Sequence, residues 1–295
     1  MSEQRRPPTR AKLSASSRRV WPTQTGTPTH NLTLSGEHTV AIVGDWESHR
    51  AHIETTLEVI NREAPSTRTI LHLGDLRFAA PPAGSGAHLQ FGPRLLPWLD
   101  EQLHERNIER LLLTPGNHEW WEQLHQEFSR HPDRPYRVSR KIWILPRGFE
   151  FIIADTTFLS FGGAASLDQG PGSSRWSAHE VASADEAAAV QPIQHINVLL
   201  LHEAVNAGIA QIDAIINGGT RWPSERLRAS EESRELVTAL RTRLRPDLTF
   251  HGHMHVAGSH TSAADGDVHA LARAPLAGSI ALLDTRNRGV HIVRG

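Results

Sequence analysis

The chain has 295 residues, and its 31 basic side chains against 32 acidic ones leave a formal net charge of -1, which excludes a protein-wide field suited to nucleic acid or a charged membrane surface. Cysteine is absent, which excludes disulfides and thiolate metal ligands and fits a reducing compartment. No apolar run approaches the roughly 20 residues of a membrane span, and the N-terminal arginines are not followed by an apolar stretch, so a cytoplasmic protein without a membrane partner is expected.

Residues 1–36 are rich in Arg, Ser, Thr and Pro, without apolar periodicity, and six basic residues lie between Arg5 and Arg19. This composition predicts a disordered basic tail, with a tether to nucleic acid or acidic lipid as the functional alternative. A single folded domain is expected over 37–295. Its first strand is Thr39-Val40-Ala41-Ile42-Val43, a short β-branched run ending at Gly44-Asp45. Ile53, Leu57 and Ile60 then fall at helical spacing within 48–63. Thr69–Leu73 is a second strand, ending at Gly74-Asp75, and a Pro/Gly-rich loop occupies 79–87. A helix interrupted near Pro93 and Pro97 is expected over 88–106. Arg110–Leu113 is the third strand, leading through Pro115 to Gly116-Asn117-His118-Glu119, after which 119–130 continues as helix. Repeated strand-loop-helix units predict an α/β domain with parallel strands in this half, whose ligands gather at the carboxyl ends of the strands.

The second half reads differently. Lys141–Leu145 and Phe149–Ala154 look like strands joined by a tight Pro146-Arg147-Gly148 turn, and Phe158–Gly162 like another. Residues 168–177 form a polar, Gly/Ser-rich loop. Ile196–Leu201 delivers His202. The charge-rich stretch Glu225–Arg234 reads as a solvated surface, and 231–245 as a helix with Leu236, Leu240 and Leu244 along one face. Leu248–Phe250 leads into His251-Gly252-His253-Met254-His255. The strands Val256–Thr261, Val268–Ala272, Ile280–Asp284 and Val290–Val293 read as a closing antiparallel meander. The whole predicts two sheets packed face to face with helices outside.

The strand-end clusters carry the chemistry. Asp45, Asp75, Asn117, His118, His202, His253 and His255 are oxygen and nitrogen donors, and most follow an apolar run directly. If the histidine turn is extended, His253 and His255 share a face and both rings point to one site. Carboxylate, amide oxygen and imidazole together suit Mn, Fe, Zn or Ni, not calcium. One carboxylate can bridge two such ions held about 3.5–4 Å apart, and the pair can activate water and clamp a phosphoryl group.

In this order the residues resemble the calcineurin-like metallophosphoesterase superfamily, whose pattern is Asp-x-His, Gly-Asp, Gly-Asn-His-Asp/Glu, a lone His and Gly-His-x-His. The resemblance spans about 39–293. Gly44-Asp45-Trp46, Leu145-Pro146-Arg147-Gly148, Gly162-Gly163-Ala164-Ala165-Ser166-x-Asp168, and Trp176 with Glu180 further resemble a bacterial and phage branch. The resemblance implies a four-layer αββα sandwich of two mixed β-sheets. It also implies a hydrolase of phosphomonoesters or phosphodiesters that uses hydroxide held by two divalent metal ions, Mn foremost. By position, Asp75 would bridge the metals, Asp45 and His255 would hold the first, and Asn117, His202 and His253 the second. His118 would be catalytic, acting on the substrate phosphate and the leaving oxygen instead of on a metal. Glu47 stands where the superfamily has His. It either serves as an oxygen ligand of the first metal, which favours Mn over Zn, or turns away, with His49 as a substitute.

Other residues have two readings each. His251 is a neighbour of the metal ligands or an ordinary strand-end histidine. Trp120 and Trp121 wall a pocket or pack a helix start. Arg77, Arg147 and Arg175 meet a phosphate or are solvated. The partner is a phosphate-ester substrate, and nucleic acid has only the basic tail in its favour. The alternative function is a catalytically degenerate interaction protein that keeps the fold, for which the atypical Glu47 speaks.

Overall fold

The computed structural model describes residues 30–77, 95–173, 176–218 and 222–294. In chain order the elements are strand β1 (His30–Asn31), β2 (Thr39–Val43), helix α1 (Arg50–Glu63), β3 (Thr69–His72), α2 (Leu95–Glu105), β4 (Arg110–Leu113), α3 (Trp121–Arg130), β5 (Tyr136–Arg137), β6 (Ile142–Ile144) and β7 (Phe149–Ile153). They continue as β8 (Thr156–Phe161), α4 (Ala184–Ala189), β9 (Val198–Leu201), α5 (Ala210–Asn217), α6 (Ser224–Leu244), β10 (Leu248–His251), β11 (Gly258–His260), β12 (Asp267–Ala270), β13 (Ile280–Asp284) and β14 (Val290–Val293).

The strands form two seven-stranded mixed sheets, ordered β14-β13-β2-β3-β4-β6-β5 and β1-β7-β8-β9-β10-β12-β11. Strands β2, β3, β4 and β6 run parallel in the first; β8, β9, β10 and β12 run parallel in the second. Parallel strands are buried on both faces, so they read as continuous apolar runs, and the alternation within each run decides which layer a side chain joins. Val40 and Ile42 of β2 point between the sheets, with Leu71, Leu112, Phe151, Phe158, Val198, Leu200 and Phe250. Ala41 and Val43 point the other way, against Ile53, Leu57 and Ile60 of α1 and Leu99 and Leu103 of α2. On the far side, Leu199 and Leu201 of β9 meet Ile212 of α5 and Val237 and Leu240 of α6. Three apolar cores therefore separate four layers in the order α, β, β, α, as the resemblance implied. Each fully buried Leu, Ile or Phe contributes about 1.5–3 kcal/mol, and Phe151 stacked on Phe158 at 5.1 Å joins neighbouring strands in the central core.

Several sequence expectations are corrected. The Pro146–Gly148 turn does not close a hairpin: β6 pairs with β4 in one sheet, and β7 pairs with β1 and β8 in the other. The terminal meander is likewise divided. β12 lies parallel to β10 with β11 antiparallel outside it, whereas β13 and β14 extend the other sheet antiparallel to β2. Both errors share one cause: a short turn specifies reversal of direction, not the strand's partner. Helix α6 begins at Ser224; Glu225, Arg228, Glu231 and Glu232 are exposed on it, as a solvated charged face requires, whereas Arg234 is buried with its Nη1 donating to Asn206 Oδ1 at 2.7 Å. Pro97 lies in the first turn of α2, where its missing N–H breaks no helical bond; Pro93 and loop 79–87 lie outside the described residues. Strand β1 pairs with Phe151 and Ile152, so part of the stretch assigned to the tail joins the sheet; residues 1–29 lie outside the described residues.

Candidate metal centre

The carboxyl ends of β2, β3, β4, β9 and β10 meet along one edge of the two sheets. Each loop there is tight, and glycine is required where a side chain would collide with a neighbouring donor. A Cβ on Gly74, whose φ is +102°, would strike the His202 ring, and one on Gly252 would strike Asp45 Oδ1. Glu47, Ser48, Asp75, Arg77, His253 and His255 hold φ between 52° and 65° without being glycine. Such left-handed residues cost about 1–2 kcal/mol each and persist where the surroundings over-determine them.

Asp45, Glu47, Asp75 and His255 each bring one donor atom to a common place, all within 4.8 Å of one another. His255 Nε2 lies 3.1 Å from Asp45 Oδ2 and 3.2 Å from Glu47 Oε1. Both oxygens are buried, and neither reaches hydrogen-bond geometry with any group among the described residues. Burial would lower the basicity of His255, but Asp45 and Glu47 outweigh it and push the ring up to about 10. Asp45 Oδ1 accepts the backbone N–H of His253 at 3.2 Å, which ties β2 to the histidine turn. Beside this group, His202 Nε2 lies 2.9 Å from Asn117 Oδ1 and 3.5 Å from Asp75 Oδ1, and its Nδ1 donates to Leu73 O at 2.5 Å. The His253 ring sits 5.0 Å from the His202 ring, and its buried Nε2 has no hydrogen-bond partner. Burial, and His202 next, hold His253 well below the usual histidine range. Asp75 lies between the two groups. Burial opposes its charge, but His202, His118 and Arg77 overcome that and hold it below the usual carboxylate range.

His118 stands at the rim. Its backbone N–H donates to Asp75 Oδ1 at 3.0 Å. Gln169 Nε2 lies 3.3 Å from His118 Nδ1, and the ring Nε2 lies 4.0 Å from Asp75 Oδ2 and 3.6 Å from Asp168 Oδ1, so the amide orients the ring with its Nε2 towards the two carboxylates. Asn117 is oriented from behind: its Nδ2 donates to Ser166 Oγ at 2.9 Å, turning Oδ1 towards His202.

The structure thus brings all eight sequence-expected site residues to one edge. His253 and His255 do so differently from the expectation, since both are left-handed turn residues and not alternate positions of a strand. His49 stacks on His52 at 3.6 Å and is not one of the four converging residues. His251 ends β10, buried, and burial lowers it to about 4. Trp121 packs the helix start, its Nε1 donating to Gly116 O at 2.7 Å; Trp120 is 39% exposed. Arg77 is not a free loop arginine, because its Nε lies 2.7 Å from Glu47 Oε2. Arg147 stacks over Trp121 and donates to the carbonyls of Gly162, His179 and Glu180, a structural role. Arg175 lies outside the described residues.

Three buried acids had been given no role. Glu119 accepts the backbone N–H groups of Asp75 and Arg77, each at 3.0 Å, and that of Gly116, clipping two ligand loops together. Burial, then Asp75, raises it to about 7. Glu203 accepts from Ala165 N at 3.1 Å and Ala204 N at 3.0 Å, behind His253. Glu180 accepts from Ser166 N at 3.0 Å and supports the residue that orients Asn117. The available signal was positional: Glu119 directly follows His118 in the loop after β4, and Glu203 directly follows His202 at the end of β9.

No curated protein matches the sequence. Among solved structures, one chain superimposes with a TM-score of 0.54 at 11% identity, covering 87% of this chain and 98% of its own. The protein TT1561 of Thermus thermophilus gives 0.50 at 14% identity, with 87% and 98% covered. A dimetal phosphatase from Danio rerio gives 0.48 at 12% identity, with 83% and 91% covered. At these identities the first two speak for the fold alone. The calcineurin-like phosphoesterase family model matches residues 38–257, from the start of β2 past the histidine turn, and the chain belongs to that family.

Proposed function

We propose that the protein is a metal-dependent phosphoesterase hydrolysing a phosphomonoester or phosphodiester, with two divalent ions, Mn foremost, as cofactors. One observation carries the reading: Asp45, Glu47, Asp75 and His255 converge within 4.8 Å, beside a second group of Asn117, His202 and His253. In this reading Asp45, Glu47 and His255 would hold the first ion, Asn117, His202 and His253 would hold the second, and Asp75 would serve both. The donors fit such ions. Buried His253 Nε2 has no hydrogen-bond partner, and leaving a buried polar atom unpaired is otherwise costly, while Asp45 Oδ2 and Glu47 Oε1 meet only His255 Nε2, itself a donor of the set. Their mixture of oxygen and nitrogen, without sulfur, suits Mn, Fe, Zn or Ni.

When bound, such a pair lowers the pKa of water and draws charge from phosphoryl oxygens. The chain supplies the rest. Gln169 orients the His118 ring through Nδ1, leaving Nε2 to meet a leaving oxygen. Asp168 and Asp75 flank that nitrogen at 3.6 Å and 4.0 Å and make its surroundings negative. Ser166, held by Glu180, keeps the Asn117 oxygen facing inwards. The interaction-protein alternative has weaker support, since a scaffold has no need of converging donors with His118 beside them. Nucleic acid as substrate rests only on the basic residues before Val20, and no helix among the described residues is long and apolar enough to cross a membrane.

The test is hydrolysis of an aryl phosphate monoester and diester by protein stripped of metal and then loaded with Mn. Activity should depend on Mn, and Asp75→Asn and His118→Asn should each lower it by about 10²–10⁴-fold. Mn-loaded wild type that is inert across a broad panel of phosphate esters refutes the proposal.

A further inference from the structure

Glu47 replaces a neutral imidazole by a carboxylate, so three carboxylates face the site with Asp45 and Asp75. A third negative charge would repel the anionic ester that such a site must admit. The structure holds an answer two residues beyond Asp75. Arg77 Nε contacts Glu47 Oε2 at 2.7 Å, while Glu47 Oε1 faces His255 at 3.2 Å and is buried without a hydrogen bond. The two loops are braced against each other: Glu47 N–H donates to Asp75 O at 2.9 Å, and Ser48 Oγ donates to Arg77 O at 3.0 Å. Glu47, Ser48, Asp75 and Arg77 all hold left-handed backbone, with φ of 52°, 55°, 56° and 52°. Strain at four crossing positions persists only where packing enforces it. What it enforces here is the meeting of this acid with this base.

We propose that Glu47 and Arg77 form a compensated pair that together stand in for the family histidine. Arg77 occupies one carboxylate oxygen, so Glu47 offers a single donor atom, as an imidazole does. Its positive charge cancels the added negative one, so the site presents an ion and a phosphate with the charge of an Asp, Asp and His set. Arg77 is thus a positioning and charge-balancing residue that acts through Glu47, not a direct ligand of the phosphate. The inference rests on the metal-dependent reading above.

The test measures binding of inorganic phosphate to Mn-loaded protein by calorimetry, with Mn content by mass spectrometry for every variant. Arg77→Met should keep its Mn, because removing a cation favours a divalent ion, yet bind phosphate roughly tenfold more weakly. Arg77→Lys should lose less. Glu47→His with Arg77→Met should restore phosphate affinity to near wild type, and Glu47→Gln with Arg77→Met provides the same comparison if the first pair does not fold. Undiminished phosphate binding in Arg77→Met, or loss of Mn from it, overturns the inference. So does a double variant as weak as Arg77→Met alone, which would place Arg77 on the phosphate itself. Wild type that takes up no Mn removes the metal reading, whereas two bound Mn with an unaffected Arg77→Met removes only this pair.

Discussion

Removing the Glu119 side chain tests how the loops of the candidate metal centre are held. Its Oε2 accepts from Asp75 N and Gly116 N, and its Oε1 from Arg77 N. Glu119→Ala leaves those donors without their acceptor at a buried place, at about 1–3 kcal/mol for each one unpaired. Entry of water and relief of a buried carboxyl offset part of this, leaving a net loss of about 3–5 kcal/mol. For a domain of this size that corresponds to a fall in Tm of roughly 5–9 °C. Glu119→Gln keeps one acceptor oxygen but turns an NH2 towards a backbone donor, so a smaller loss of about 1–2 kcal/mol is expected. Urea unfolding followed by tryptophan fluorescence, in EDTA and again with Mn, measures both. The Mn-loaded protein should show the larger difference, because the loops of Asp75 and Asn117 that relax are the ones expected to hold metal. A loss below about 1 kcal/mol for Glu119→Ala in both conditions would refute the argument that these bonds clip the site.

Two further changes probe neighbouring parts. Gly252→Ala places a methyl on Asp45 Oδ1, so the variant should fold yet lose a Mn equivalent by mass spectrometry; unchanged content refutes the close-approach argument. Glu180 is raised by burial from about 4.5 to about 7, against the pull of its bonds from Ser166. Its folded form therefore keeps a proton that the unfolded chain releases, so the stability it contributes is present below about pH 4.5 and lost as pH rises to about 7. Between pH 5 and 7.5 wild type should lose roughly 1–3 kcal/mol more than Glu180→Gln, and parallel pH profiles of the two proteins would contradict this.

Much of the candidate centre was legible because its donor residues sit where buried strands stop. Thr39–Val43, Arg110–Leu113, Ile280–Asp284 and Val290–Val293 match the observed strands to the residue, since short apolar runs between polar or turn-forming residues leave little choice. The ordered Asp45, Asp75, Asn117, His202 and His253 follow from the same stops. Glu203 and Glu180 were not legible as parts of the site, because their partners, Ala165 and Ser166, lie in a loop whose course no local pattern describes. The His253–His255 pair was found for a reason that does not hold: left-handed backbone at both positions, not strand alternation, sets the two rings.

The amino-acid sequence by itself determined the α/β class, the strands that end at the site and the order of donors that marks the family. Periodicity and turn residues are local, and they report burial and direction directly. Only the tertiary structure decided which sheet each late strand joins and where Glu47 points. Both depend on partners remote in the chain: β13 closes on β2 across more than half the sequence, and Glu47 is fixed by Arg77 in a different loop. A side chain's direction at such a place is set by the charge it meets after folding, and that charge is not written beside it.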